Sequence, residues 1–250
     1  MSNSNISPDV GSSEPLPTFE SLQKAQKGPT LSHEAACLFW SLQDSLKTSI
    51  FVMRNKKSPD PPLEPYFRQT LDAANWHPLS QEPMTRPPVS SITVDVYELE
   101  NWLDEWLEVH AECIDEGRIL ADAEEGQIKE LEDEERELLR CCGTERPPNS
   151  EPIVVPASGK PYVTIHDYVT AVHPWLMNKR NDILWAMNVW DCAPLPAETK
   201  LMVNCNGPAS LMIDKEETWI ARTRRRTGVR TTNIPVSGSP YLEESSETTS

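Results

Sequence analysis

The residues able to do chemistry are few and scattered: five histidines and six cysteines in 250 residues. The densest group is His166, Asp167, His173, Cys192 and Cys205. In a helix His166 and His173 stand two turns apart, a rise of ~10.5 Å, whereas zinc holds its ligands at ~2.0–2.3 Å. They share an ion only if Pro174 folds the chain between them. Cys192 and Cys205 have no C-x-x-C partner on either side. The expectation is therefore no metal, no cofactor and no stoichiometric zinc, with Asp167 used as a helix cap and His166 a surface histidine. An enzyme with a site around His166 and Cys192 is the alternative.

Other catalytic patterns stop short of completion. His33-Glu34-Ala35-Ala36-Cys37 has a cysteine where a zinc-protease helix needs its second histidine, and no third ligand is close in sequence. A surface histidine and a core cysteine account for it. Cys141 and Cys142 are adjacent, which excludes the C-x-x-C geometry of a redox pair; they read as a helix end. Ser158-Gly159-Lys160 lacks the upstream glycine of a phosphate loop. Neither G-x-G-x-x-G nor G-x-S-x-G occurs. No catalytic residue is assigned.

Two groups suit binding better. Leu99, Trp102, Leu103 and Trp106 form a short apolar stripe on an otherwise acidic segment and are expected to face a protein partner or a second copy. Arg222, Arg224, Arg225, Arg226 and Arg230 form a basic cluster that suits nuclear import, an intramolecular mate for the acidic segment, or nucleic acid. A net charge of −16 opposes the last of these. Thr227 follows three arginines and is a candidate phosphosite. Trp175, Trp185, Trp190 and Trp219 are expected mainly as core.

These residues need elements to position them. Leu31, Ala35, Leu38, Leu42, Leu46 and Met53 recur at helical spacing, and a short helix is expected around 64–75. Between Asp95 and Glu145 lie 19 acidic and four basic residues, so the acidity belongs to one segment. Asp95 or Thr93 suits the N-cap of its helix, Glu98 three residues after Asp95 resembles a capping box, and a break is expected near Gly117 or Gly126 if the helix is not continuous. Ile153–Val155 reads as a strand. Thr164 opens a helix with Asp167 at the capping-box position, and Ile165, Tyr168, Val169, Val172, Leu176, Ile183, Leu184 and Met187 are expected in the core; Asn206-Gly207-Pro208 reads as the turn of a hairpin.

The expected fold is mainly α, with a few short strands in the C-terminal third and disordered N- and C-terminal tails. The expected parts are a disordered head (1–30), a helical N-terminal unit (31–77), a Pro-rich linker (78–91) and an acidic amphipathic helix (92–146). A compact Trp-rich unit (151–221) follows, then the Arg cluster and tail (222–250). The 23 prolines and nine glycines favour stiff connectors. The N-terminus has no signal-peptide pattern, and no apolar run reaches the ~18–20 residues of a membrane span. Reduced cysteines in the cytoplasm or nucleus follow. The expected function is helix-mediated protein association without catalysis, membrane contact or an inferable small-molecule substrate. A nucleic-acid-associated role for the Arg cluster is the second alternative.

Overall fold

The computed structural model describes residues 15–70, 74–111 and 140–225. In chain order the first elements are α1 (Phe19–Lys24), β1 (Thr30–Leu31), β2 (Leu38–Trp40), α2 (Leu46–Ser49) and β3 (Ile50–Val52). Next come β4 (Glu64–Pro65), β5 (Phe67–Gln69), β6 (Ala74–Trp76), β7 (Thr85–Arg86), β8 (Ser91–Val96) and α3 (Tyr97–Val109). The rest are β9 (Arg140–Cys141), β10 (Thr144–Glu145), β11 (Ile153–Pro156), α4 (Ile165–Asn178), α5 (Arg180–Ala186), β12 (Leu201–Asn204), β13 (Ser210–Lys215) and α6 (Glu216–Arg225). Thirteen strands in five sheets stand beside six helices among the described residues, so the expected mainly α fold is wrong.

The central sheet has the order β11-β8-β13-β12. Its middle strand β8 is set by period-2 alternation: Ile92, Val94 and Val96 are fully buried, while Ser91, Thr93 and Asp95 are only partly so. It pairs antiparallel with β11 and parallel with β13, while β12 and β13 form the hairpin expected around Gly207. A bridge between Ser41 and Met202, with Leu42 N–H donating to Leu201 O at 2.9 Å, joins β12 to the sheet β2-β3-β4.

Residues 31–53 overturn the helical reading most clearly. Leu38 and Trp40, and likewise Ile50 and Val52, are buried on alternate positions of β2 and β3. The same leucines fit a helical period because the strands are three residues long and the turns between them reset the phase. Aromatic and β-branched residues here fill a pleated surface, and cross-strand pairing decides. The helix expected at 64–75 is likewise absent: Phe67–Gln69 pairs with Ala74–Trp76.

The head is ordered from Pro15 onward. Thr18 caps α1, Phe19 and Leu22 are buried, and the Glu20 carboxylate accepts from Thr93 N–H at 2.7 Å. The proline-rich stretch runs through the fold and buries Met84 and Val89. Residues 1–14, the Gly117 and Gly126 positions, and the tail from 226 lie outside the described residues.

The main core runs from Phe19 to Ile213, and a smaller cluster of Met53, Met202 and Trp219 stands beside it. Its centre is Trp40, fully buried, with the Tyr168 ring edge-on at 6.3 Å. The α4 residues expected in the core, Ile165, Tyr168, Val169, Val172 and Leu176, are buried, as are Ile183 and Leu184 of α5. Of the four tryptophans expected mainly as core, Trp219 is buried, Trp175 and Trp185 are half-buried, and Trp190 is 62% exposed. Trp40 and Trp106 supply that bulk from elsewhere in the chain.

Candidate functional site

Helix α3 carries the site. Leu99, Trp102 and Trp106 fall three and four residues apart on the face that packs on β8 and β13 and is covered by α5. The stripe expected to face a partner is thus turned inward, and Leu103 is half-buried. The acidic residues Glu100, Asp104 and Glu108 occupy the exposed face. The helix expected over 92–146 starts only at Tyr97, because β8 runs to Val96, which stands at the N-cap position without a side-chain hydrogen bond, and Arg140–Cys141 and Thr144–Glu145 are strands, not the end of that helix. Glu98 does not close a capping box. Its Oε1 accepts from Ile213 N–H at 3.0 Å, tying α3 to β13. Burial, reinforced by Asp214 and Glu105, pushes the Glu98 carboxyl up to about 7.

At the C-terminal end of α3 a polar knot holds the helix to the β9–β10 hairpin. Trp106 Nε1–H donates to Thr144 Oγ1 at 3.0 Å, and that hydroxyl donates to Cys141 O at 2.8 Å. His110, at 1% exposure, places Nε2 3.1 Å from the same oxygen. The single Thr144 proton is committed to Cys141 O, so the imidazole is the donor here. Nε2 carries the proton and Nδ1 keeps its lone pair. The Trp106 ring meets His110 edge-on at 4.6 Å, and burial holds the imidazole pKa below its ordinary value.

The hairpin turn places Cys142 at φ 50° and Gly143 at φ 79°. Positive φ at both central positions is the I′ turn, which usually takes Asn-Gly because a side chain in the left-handed region costs roughly 1–2 kcal/mol. A cysteine occupies the strained position. Ligand atoms of His110, Cys141 and Cys142 lie within 4.8 Å of one another. His110 is more than 30 residues from the two cysteines in the chain. Neither adjacency nor spacing signals the cluster, and only the strained Cys-Gly turn hints at it.

Beside the knot, Trp102, Trp106, Thr144, Trp185, Val189 and Cys192 line a cavity of about 370 Å³. Arg140, Glu145, Arg146 and Asp182 also border it. Trp190, in the turn between Val189 and Cys192, projects to solvent. A second cavity of about 410 Å³ is lined by Leu38, Met53, Cys205 and Trp219, with Lys56 and Lys57 at its exposed side.

The other candidates sit apart from one another. His173 has both ring nitrogens engaged: Trp40 Nε1–H donates to Nδ1 at 2.9 Å, so Nε2–H donates to Asp44 O at 2.8 Å. His166 packs on Trp76 at 4.6 Å, and its buried Nδ1 has no hydrogen-bond partner among the described residues. Thr164 and Asp167 form the expected capping box, with Asp167 also bonded to Ser158. Burial raises the Cys205 thiol to about 12, far from a reactive thiolate. Cys192 borders the aromatic cavity in a left-handed conformation, φ 51°. His33 is exposed, and the buried Cys37 thiol donates to its carbonyl at 3.4 Å.

The basic cluster begins inside α6, not in a loose tail. Arg222 pairs with Asp214, which also accepts from Asn204, and Arg224 pairs with Asp60. Both acidic mates lie outside the 95–145 segment that one of the three readings of the cluster paired with the arginines. Arg225 ends the helix; Arg226, Thr227 and Arg230 lie outside the described residues. No helix among the described residues is long and apolar enough to cross a membrane. Comparison with protein-family models, with curated proteins and with solved structures returns no match.

Proposed function

We propose that this is a non-catalytic binding protein that takes an apolar peptide segment of a partner protein at the Trp102–Trp106–Trp185 cavity. The observation that carries the reading is Trp190, a large aromatic left 62% exposed in the turn that also supplies Val189 to the cavity lining. Aromatic residues set beside a polar, charged border are the composition of an interface centre, where tryptophan anchors supply most of the binding energy. Arg140, Arg146, Glu145 and Asp182 provide that border with both signs of charge. This differs from association through the whole α3 stripe: Leu99 is buried in the core, and Trp102 and Trp106 reach a partner only where they line the cavity wall. The cytoplasm or nucleus is the compartment in which its thiols stay reduced.

Selection of a displayed random-peptide library against the full chain tests the reading. Enriched peptides share an aromatic or large aliphatic anchor, and Trp190→Asp and Trp185→Ala each weaken their binding at least tenfold while the thermal melt stays cooperative. Absence of enrichment, or binding indifferent to both substitutions, refutes it. Sedimentation of the chain alone distinguishes self-association, which would make a second copy the occupant.

A further inference from the structure

We infer that His110, Cys141 and Cys142 form a binding site for a thiophilic divalent ion, zinc, at the junction of α3 and the β9–β10 hairpin. The first support is distance. Two thiolates bound at ~2.3 Å on a tetrahedral ion stand about 3.8 Å apart. The Cys141 and Cys142 sulfurs are separated by 3.7 Å, and the imidazole ligand atom lies within 4.8 Å of both. A disulfide between them would require about 2.05 Å. The Cys141 thiol donates to the Cys142 sulfur at 3.7 Å, which is also the spacing of two ligands and far beyond a disulfide.

The second support is preparation of the imidazole. Zinc takes a neutral histidine through a bare nitrogen, while the other ring nitrogen commonly donates to a fixed oxygen. Thr144 does this for His110: its hydroxyl is anchored by Trp106 and by Cys141 O, and it accepts the Nε2 proton. Nδ1 is left with the lone pair that a metal requires. The same threonine touches both sides of the junction, so the histidine and the cysteines are positioned by one group.

The third support is the backbone. Cys142 adopts φ 50° at a turn position that asparagine or glycine fills without strain. The left-handed conformation sets two successive thiols at ligand spacing, which an extended pair, pointing to opposite faces, would not do. His110 is buried, Cys141 half-buried and Cys142 exposed, which gives an ion a route from solvent onto the sulfurs. Three protein ligands leave a fourth position for water or an incoming donor. Imidazole with two thiolates favours zinc over calcium or magnesium, which prefer oxygen. Binding releases the two thiol protons to solvent, and no electron is transferred.

The inference stands apart from the proposed peptide site, although Thr144 and Trp106 border both. The test uses the full chain, purified reduced and without chelator, with zinc measured by elemental analysis and cobalt(II) added to metal-stripped protein. About one zinc per chain is expected, with an intense thiolate-to-cobalt absorption band. Cys141→Ser, Cys142→Ser and His110→Gln should each weaken zinc binding at least tenfold, and Thr144→Val should weaken it tenfold through loss of the imidazole's anchor. Circular dichroism of each variant reports the fold, and Cys192→Ser is the control that leaves zinc binding unchanged. Three results would overturn the site: reduced protein with less than a tenth of a zinc per chain and no thiolate band, zinc retained undiminished by the Cys141→Ser/Cys142→Ser double variant, or freshly isolated protein with these two cysteines joined as a disulfide.

Discussion

Replacing Glu98 by glutamine isolates the electrostatics of the α3–β13 contact. The wild-type carboxyl titrates at about 7 in the fold, against 4.5 for the unburied group. Its Oε2 is buried without a hydrogen-bond partner among the described residues, so ionisation leaves a charge poorly solvated. The folded state holds the proton more tightly than the unfolded chain. The Glu98 contribution to stability is therefore greatest at low pH and falls as pH rises from about 4.5 through 7. At ~1.36 kcal/mol per pKa unit, the loss between pH 5 and pH 8 is at most about 2–3 kcal/mol. Glutamine keeps an oxygen for Ile213 N–H and carries no charge at any pH. Urea unfolding at pH 5 should scarcely separate the two proteins, whereas at pH 8 the variant should be more stable by about 1–3 kcal/mol. In thermal melts that is a rise of roughly 2–10 °C for a domain of this size. A stability difference that does not change between pH 5 and pH 8 would refute the reasoning and place the Glu98 charge in water.

Three other substitutions probe the packing. Val172→Asp puts a charge beside the buried Tyr168–Leu176 face of α4 and should cost several kcal/mol, abolishing the cooperative melt or lowering its midpoint by well over ~5 °C; an unchanged midpoint would displace Val172 from the core. Thr164→Ala removes the cap that accepts from Asp167 N–H and should lower unfolding stability by about 1 kcal/mol in urea. Trp106→Ala should cost about 3–5 kcal/mol while Trp190→Ala stays within ~0.5 kcal/mol, because the first is 3% and the second 62% exposed. Equal melting losses for the two tryptophans would contradict their placement.

Features written in a few adjacent residues were legible. The Thr164–Asp167 cap and the hairpin around Gly207 need partners within about fourteen residues, the range at which turn and capping chemistry act, and the strand at Ile153–Val155 showed in its β-branched run although its partner β8 lies about 60 residues away. The buried face of α4 was legible for the same reason, since a regular helix repeats its pattern over four turns. Residues 31–53 were not: strands of three residues are too short for period 2 to declare itself against a helical spacing of leucines. Their conformation depends on hydrogen bonds to β4 and, through Leu42 and Leu201, on a strand about 160 residues away.

Composition and local spacing determined where the acidity lies, which turns and caps form, and that the chain carries no complete catalytic motif. Tertiary structure decided what those residues face. The apolar stripe of α3 looked available to a partner because sequence shows a helix's face but not the sheet that covers it. Trp190 looked like core because an aromatic's type does not reveal its direction. His110 met Cys141 and Cys142 only because α3 packs across β8 and β13 and delivers its last turn to the β9–β10 hairpin. Contacts between distant segments follow from burying area shared by the whole chain, and no window of sequence contains that area.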